Sequence, residues 1–171
     1  TPEVELLLEP QQTLELVVRD ADGSIPTEAF ANVQGPSGEP QPVFVSLDRE
    51  GRGIVTQLPP GDYVALIQGQ GAAVVRFAVP SKVQLQLKPR GTLVLESGSP
   101  VEVQVLTAEG LPVPWGWRGM GTSGGWRRVE TSWRLALPAG DYRLLVRRDG
   151  QVQEKLATVI PGQETVLDLA P

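Results

Sequence analysis

LPPGDYVALIQG at 58–69 returns as LPAGDYRLLVRR at 137–148, and this pair of segments decides the fold. Leu58 to Leu137, Gly61 to Gly140 and Tyr63 to Tyr142 are each 79 positions apart. A second marker, Leu-x-Leu-x-Pro at the end of a β-pattern, occurs at Leu6, Leu8 and Pro10, again at Leu85, Leu87 and Pro89, and again at Leu167, Leu169 and Pro171, with Pro-to-Pro spacings of 79 and 82. A fixed period of this kind is the signature of an array of similar units. The markers divide the chain into 1–10, expected to be the closing strand of a preceding repeat, and two full repeats at 11–89 and 90–171. A chain that opens on strand-like VELLLEP reads as part of a longer protein.

Inside each repeat the apolar period is two. Val101, Val103 and Val105 alternate with Glu102, Gln104 and Leu106, and Val83, Leu85 and Leu87 alternate with Lys82, Gln84 and Gln86. Such alternation is that of a strand with one face buried. Turn-forming clusters break the pattern at short intervals: DADG (20–23), REGRG (49–53), PPGD (59–62), TAEG (107–110), PAGD (138–141) and RDG (148–150). Glycine in these clusters supplies positive φ and proline fixes the bend. No window of ten or more residues carries a helical stripe. Short strands punctuated every ~8–12 residues predict an all-β protein of tandem seven-stranded antiparallel β-sandwiches with Greek-key connections. A sandwich of about 80 residues buries only ~60–65% of its unfolded surface, so the two are expected to dock, and KPRGT (88–92) is too short for a free linker.

Composition removes most catalytic chemistry. Among 171 residues there is no histidine and no cysteine. That excludes Ser-His-Asp and Cys-His nucleophile systems, imidazole or thiolate metal sites, disulfides and histidine pH switches. The formal charge of −5 opposes nucleic-acid binding. No run approaches the roughly 18 apolar residues of a membrane helix, so no membrane insertion is expected. Asp20, Asp22, Asp48 and Glu50 have the acid-rich loop chemistry of a calcium site, yet neither loop has the longer D-x-D-x-D-G spacing, and D-x-D-G is a common turn. No catalytic residue, metal ligand or cofactor is assigned.

The order LELVVRDADGSIP, DREGRGIVTQLPPGDYVALIQG, AVVRFAVPSKVQLQLKP resembles the carboxypeptidase regulatory-like family, repeated as VEVQVLTAEGLPVP, SWRLALPAGDYRLLVRRDG and ETVLDLAP. In this matching Trp133 stands where the first repeat has Ile54. The resemblance implies the transthyretin-like (prealbumin-like) seven-stranded fold, shared with the B-type repeats of bacterial collagen adhesins. It implies a non-catalytic spacer or presenter in a larger extracytoplasmic bacterial protein (periplasmic, secreted or cell-surface), in contact with neighbouring repeats of the same chain and with a protein or glycan partner. Collagen-adhesin repeats often close an isopeptide bond from a lysine in the first strand. Here TLELVV and VEVQVL contain none, and the chain's lysines are Lys82, Lys88 and Lys155, so no such crosslink is expected.

One stretch is compositionally apart. Residues 112–134 hold all four tryptophans with Arg118, Arg127, Arg128 and Arg134. Between 118 and 148 seven arginines face only Glu130 and Asp141. Flat indole faces bind sugar rings, and Trp with Arg is typical of binding hot spots. Trp115, Trp117, Trp126, Arg118, Arg127 and Arg128 are therefore candidates for a carbohydrate or anionic-ligand site, the alternative function. The opposing reading places the indoles in the core or between the repeats, with Trp133 expected in the core and Trp126, flanked by GTSGG and two arginines, the most exposed. A third reading makes the chain an accessory domain of an enzyme whose catalytic part lies elsewhere.

Overall fold

A computed structural model describes residues 13–35, 38, 40–115 and 125–171. The expected closing strand at 1–10 lies outside them. The described residues contain strands and turns and no helix.

The first seven strands are β1 (Leu14–Arg19), β2 (Glu28–Gln34), β3 (Pro40–Ser46), β4 (Arg52–Val55), β5 (Gly61–Gln68), β6 (Ala72–Val79) and β7 (Ser81–Gln86). The next seven are β8 (Arg90–Glu96), β9 (Val101–Thr107), β10 (Arg127–Val129), β11 (Ser132–Pro138), β12 (Gly140–Arg148), β13 (Gln151–Val159) and β14 (Glu164–Asp168). They form sheets β4-β1-β7 and β3-β2-β5-β6, then β11-β8-β14 and β10-β9-β12-β13. Subtracting seven from each label of the second pair reproduces the first, so both sandwiches share one topology. Pairing is antiparallel except that β1 runs parallel to β7 and β8 parallel to β14, which corrects the all-antiparallel expectation. A strand and its parallel neighbour need a long crossover. Here the five intervening strands supply it.

The strands form where the alternation placed them. Val101, Val103 and Val105 of β9 are buried while Glu102, Gln104 and Leu106 are half-buried on the other face. The repeated L-P-x-G-D-Y segment opens β5 and β12 identically. Gly61 and Gly140 take φ of 152° and 149°, and the Tyr63 and Tyr142 hydroxyls each donate to the carbonyl of the proline four residues back at 2.7 Å. That bond pins the turn to the strand it starts. In the acidic loops, Asp48 accepts the Glu50 and Arg52 N–H groups at 2.9 and 2.8 Å, and Asp22 accepts both donors of Ser24. Asp20 is buried and accepts the Gly71 N–H. The Asp22 and Asp48 carboxylates are turn-formers, the Asp20 carboxylate ties its loop to Gly71, and no group of three acids is placed to hold a metal among the described residues.

The first apolar core gathers Leu14, Leu16, Val18, Val33, Ala65 and Ile67. The second is built on Leu93, Leu95, Val103, Leu137 and Leu144, and it takes in Leu66 and Ala72 from the first sandwich, with Val74 packed against it. Leu66 points to the outer face of its sheet, opposite Ile67, and the second sandwich covers it. The connection is bonded on both sides: Leu87 N–H donates to the Arg19 carbonyl, Lys88 and Ala72 exchange two backbone bonds, and Ala139 N–H donates to the Pro89 carbonyl. Gln68 Nε2 reaches the Ala136 carbonyl at 2.8 Å across the junction.

Trp133 does not occupy the place of Ile54. Trp133 lies opposite Leu95, and Gly53 lies opposite Leu16, the residue 79 positions before Leu95. The structural counterpart of Trp133 is thus Gly53. Ile54 itself is 64% exposed on the other face, so it is no core position. Val55 and Leu58 are three apart where Leu135 and Leu137 are two apart, and that one-residue difference turns the face over.

Candidate functional site

The tryptophan–arginine stretch follows β9. A bridge between Leu106 and Pro112 and the bond from Val113 N–H to the Val105 carbonyl hold the chain along the β9 edge as far as Val113, two residues before Trp115. Trp115 is 2% exposed and meets Trp133 edge-on, ring centroids 5.6 Å apart. Its indole Nε1 is buried with no hydrogen-bond partner among the described residues. Arg127 opens β10 and is 3% exposed. Its Nε donates to the Trp115 carbonyl at 2.8 Å and its Nη1 to the Trp126 carbonyl at 2.7 Å. Two predicted ligand residues are therefore interior: Trp115 lies in the second core, and Arg127 ties the Trp115 and Trp126 carbonyls to β10.

Trp126 is half-buried, with the Arg147 guanidinium 4.4 Å from its ring centroid, a cation–π arrangement. Trp133 is half-buried against the second core, because it lies where β11 meets the first sandwich. The expected order therefore changes: Trp115 is deepest, ahead of Trp133. Arg128 is exposed and bonds Glu130 at 2.7 Å. Trp117 and Arg118 lie outside the described residues.

The charge surplus is answered from other strands. Arg147 pairs with Glu102 of β9, Arg143 with Glu154 of β13 at 2.9 Å, and Arg134 with Glu164 of β14. The hydrogen bond from Arg143 holds the Glu154 carboxyl below its ordinary range, and the bond to Glu102 raises Arg147 further. Glu15 pairs with Lys82 at 3.1 Å. Glu15, Glu102 and Glu154 are thus cross-strand ion-pair partners on their sheets.

A different feature comes from the junction. A cavity of about 260 Å³ lies between Phe30, Asn32 and Gln68 of the first sandwich and Trp115, Trp133 and Arg134 of the second. A wider depression of about 440 Å³ shares Phe30 and Gln68 with it and continues past Phe44, Glu28 and Arg90. Phe44 is 83% exposed, its ring 5.1 Å from that of Phe30. Sequence reasoning passed over these phenylalanines. The available signal was the β2–β3 register, in which Phe30 and Phe44 are directly opposed.

No protein-family model matches the chain, and no curated protein matches it. Solved structures do. The chain is 16% identical to GBS52, the minor pilin of Streptococcus agalactiae, with TM-score 0.40 over 92% of this chain and 94% of that one. A leucine-rich repeat protein of Bacteroides thetaiotaomicron gives 14% identity and TM-score 0.45 over 94% of this chain and 26% of that one. The Bacillus anthracis TIE protein gives 13% and 0.37 over 92% and 33%. The chain thus spans a third or less of the latter two. No helix among the described residues is long and apolar enough to cross a membrane.

Proposed function

We propose that the chain is a non-catalytic structural and interaction module, a stiff pair of sandwiches that holds the parts of a larger extracytoplasmic bacterial protein at a set distance and angle. One observation carries this reading: the second core is completed by Leu66 and Ala72 of the first sandwich. Separating the two would expose both to water, at ~1.5–3 kcal/mol for a side chain of leucine size. With the connector bonded on both sides, no residue is left to act as a hinge between β7 and β8. The extracytoplasmic setting and the contact with neighbouring repeats rest on the resemblance to carboxypeptidase regulatory-like repeats.

Among the described arginines of the anionic-ligand alternative, Arg128 bonds Glu130 and Arg127 serves backbone carbonyls, and the neighbouring Arg134, Arg143 and Arg147 are each paired with a glutamate. Residual dipolar couplings test the spacer reading. Both sandwiches should share one alignment tensor, and Leu66→Asp should split it into two. Two independent tensors in the unaltered chain would refute rigidity.

A further inference from the structure

The groove at the junction has a composition of its own. Phe44 and Phe30 lie side by side on the outer face of β3-β2-β5-β6, Phe30 shares the smaller cavity with Trp133 and the Asn32 amide, and the Gln68 amide lines both depressions. An aromatic ring left 83% exposed beside a second ring costs solvation that ordinary surfaces avoid, and small-molecule sites combine such rings with a few placed polar groups. Gln68 is oriented, because its Nε2 is held by the Ala136 carbonyl and its amide oxygen is thereby turned the other way. Asn32 makes no side-chain hydrogen bond among the described residues.

Charge and edge chemistry select the occupant. Glu28 and Arg90 balance each other, and Arg134 is paired with Glu164, so the groove offers no net charge to an ion. The neighbouring edge strand, β3, contains Pro40 and Pro42, at alternate positions facing Gln34 and Asn32. Proline has no N–H, and residues of this parity share one edge. An added strand from a peptide or a second copy would therefore find its ladder interrupted twice. What remains is recognition by side chains alone: aromatic faces for apolar C–H surfaces, and amides for hydroxyl groups. The groove also continues the buried junction without a break, through Phe30 and Gln68. Its two walls are therefore held apart at a set width.

We infer that the groove between the two sandwiches binds a neutral oligosaccharide chain, with Phe44 and Phe30 as the stacking platform and Asn32 and Gln68 as hydroxyl-reading amides. Trp115 contributes to the buried end of this site, and Arg127 lines neither depression. The site stands apart from the spacer reading, since a rigid junction is compatible with an empty groove.

The test is a fluorescence titration with cellohexaose, xylohexaose and mannohexaose at 0.05 and 0.5 M NaCl, with Trp133 as reporter. At least one hexasaccharide should shift the emission saturably, with the same affinity at both salt concentrations. Phe44→Ala should weaken it tenfold or more and Asn32→Ala severalfold, while Phe44→Tyr retains it. Phe44 lies outside both cores, so the melting temperature of Phe44→Ala should match the parent. Four results would each overturn the inference: no saturable shift with any of the three sugars, binding indifferent to Phe44→Ala, a preference for heparin abolished by salt, or Phe44-dependent dimerisation in sedimentation velocity.

Discussion

Replacing Trp115 by alanine should be the most damaging single truncation at the junction. The indole is 2% exposed. A buried tryptophan hides ~200–250 Å² of apolar surface, and at about 25 cal/mol/Å² its removal has an upper bound near ~5–6 kcal/mol. The edge-on contact with Trp133 adds ~0.5–1.5 kcal/mol to the loss. Against this, the indole N–H is buried without an acceptor among the described residues, and shedding it returns ~1–3 kcal/mol. The net expectation is ~3–5 kcal/mol, set against a total of ~4–12 kcal/mol for a sandwich of this size. Trp115→Phe should cost about 2 kcal/mol less than Trp115→Ala, since it keeps an aromatic ring and removes the orphaned donor. Urea unfolding reads both. All four tryptophans lie between 115 and 133, so emission follows the second sandwich while far-ultraviolet circular dichroism follows both. In the alanine variant the fluorescence transition should move to lower urea and the dichroism should split. A loss below ~1 kcal/mol for Trp115→Ala would refute the placement of this side chain as the joint of the two cores.

Burial, with Glu109 nearby, holds the Tyr142 hydroxyl well above its ordinary pKa. A folded pKa raised above the unfolded value stabilises fully below about pH 10 and is lost as pH climbs beyond it. Urea midpoints should therefore fall as pH rises above about 10, with Tyr142→Phe flattening that fall and costing ~1 kcal/mol at neutral pH for the lost bond to the Pro138 carbonyl. Gly53→Ala drives a Cβ into Val45 and the Ser46 carbonyl, and should cost ~1–3 kcal/mol, read by calorimetry as a lower melting temperature for the first sandwich. Arg147→Met should barely move the melting temperature, since the guanidinium is solvent-accessible, yet it uncovers Trp126 and should raise acrylamide quenching. Intact mass should equal that of the unmodified chain; a deficit of one ammonia or one water would reveal a crosslink that the lysine positions oppose.

The repeat makes most of the architecture legible in the sequence. The L-P-x-G-D-Y turns, the alternation of Val101, Val103 and Val105, and the turn role of Asp22 and Asp48 all follow from local chemistry, which acts within a few residues. Four features do not. The parallel pairing of β1 with β7 depends on how five strands cross between sheets. The position of Trp133 depends on one residue between Val55 and Leu58, and a single-residue slip is invisible to alignment by the following turn but reverses a strand's faces. The apparent cationic patch was a property of a window, because Glu102, Glu154 and Glu164 reach it from three other strands. The junction groove was equally hidden. Phe30, Phe44 and Trp133 come from β2, β3 and β11, and no local pattern brings them together.

The two sandwiches share a topology but present different chemistry at the same place. In the first, Leu66 pairs with Val74 and Gln68 with Ala72 across β5 and β6, and this face receives the second sandwich. The matching positions of the second are Leu145 with Glu154 and Arg147 with Val152 across β12 and β13. There Glu154 holds Arg143, and Arg147 holds Glu102 while covering Trp126. Docking another sandwich on that face as the first face is docked would strip water from two ion pairs, a desolvation that Coulomb attraction repays only with very good geometry. A head-to-tail contact propagates only where each unit carries both complementary surfaces. The second sandwich keeps the apolar side that fits under Leu66 and replaces the face that would receive a successor. The junction is therefore a directed contact, and the face of β9, β12 and β13 that corresponds to the docked face of the first sandwich carries two ion pairs, with Val152 and Leu156 exposed beside them.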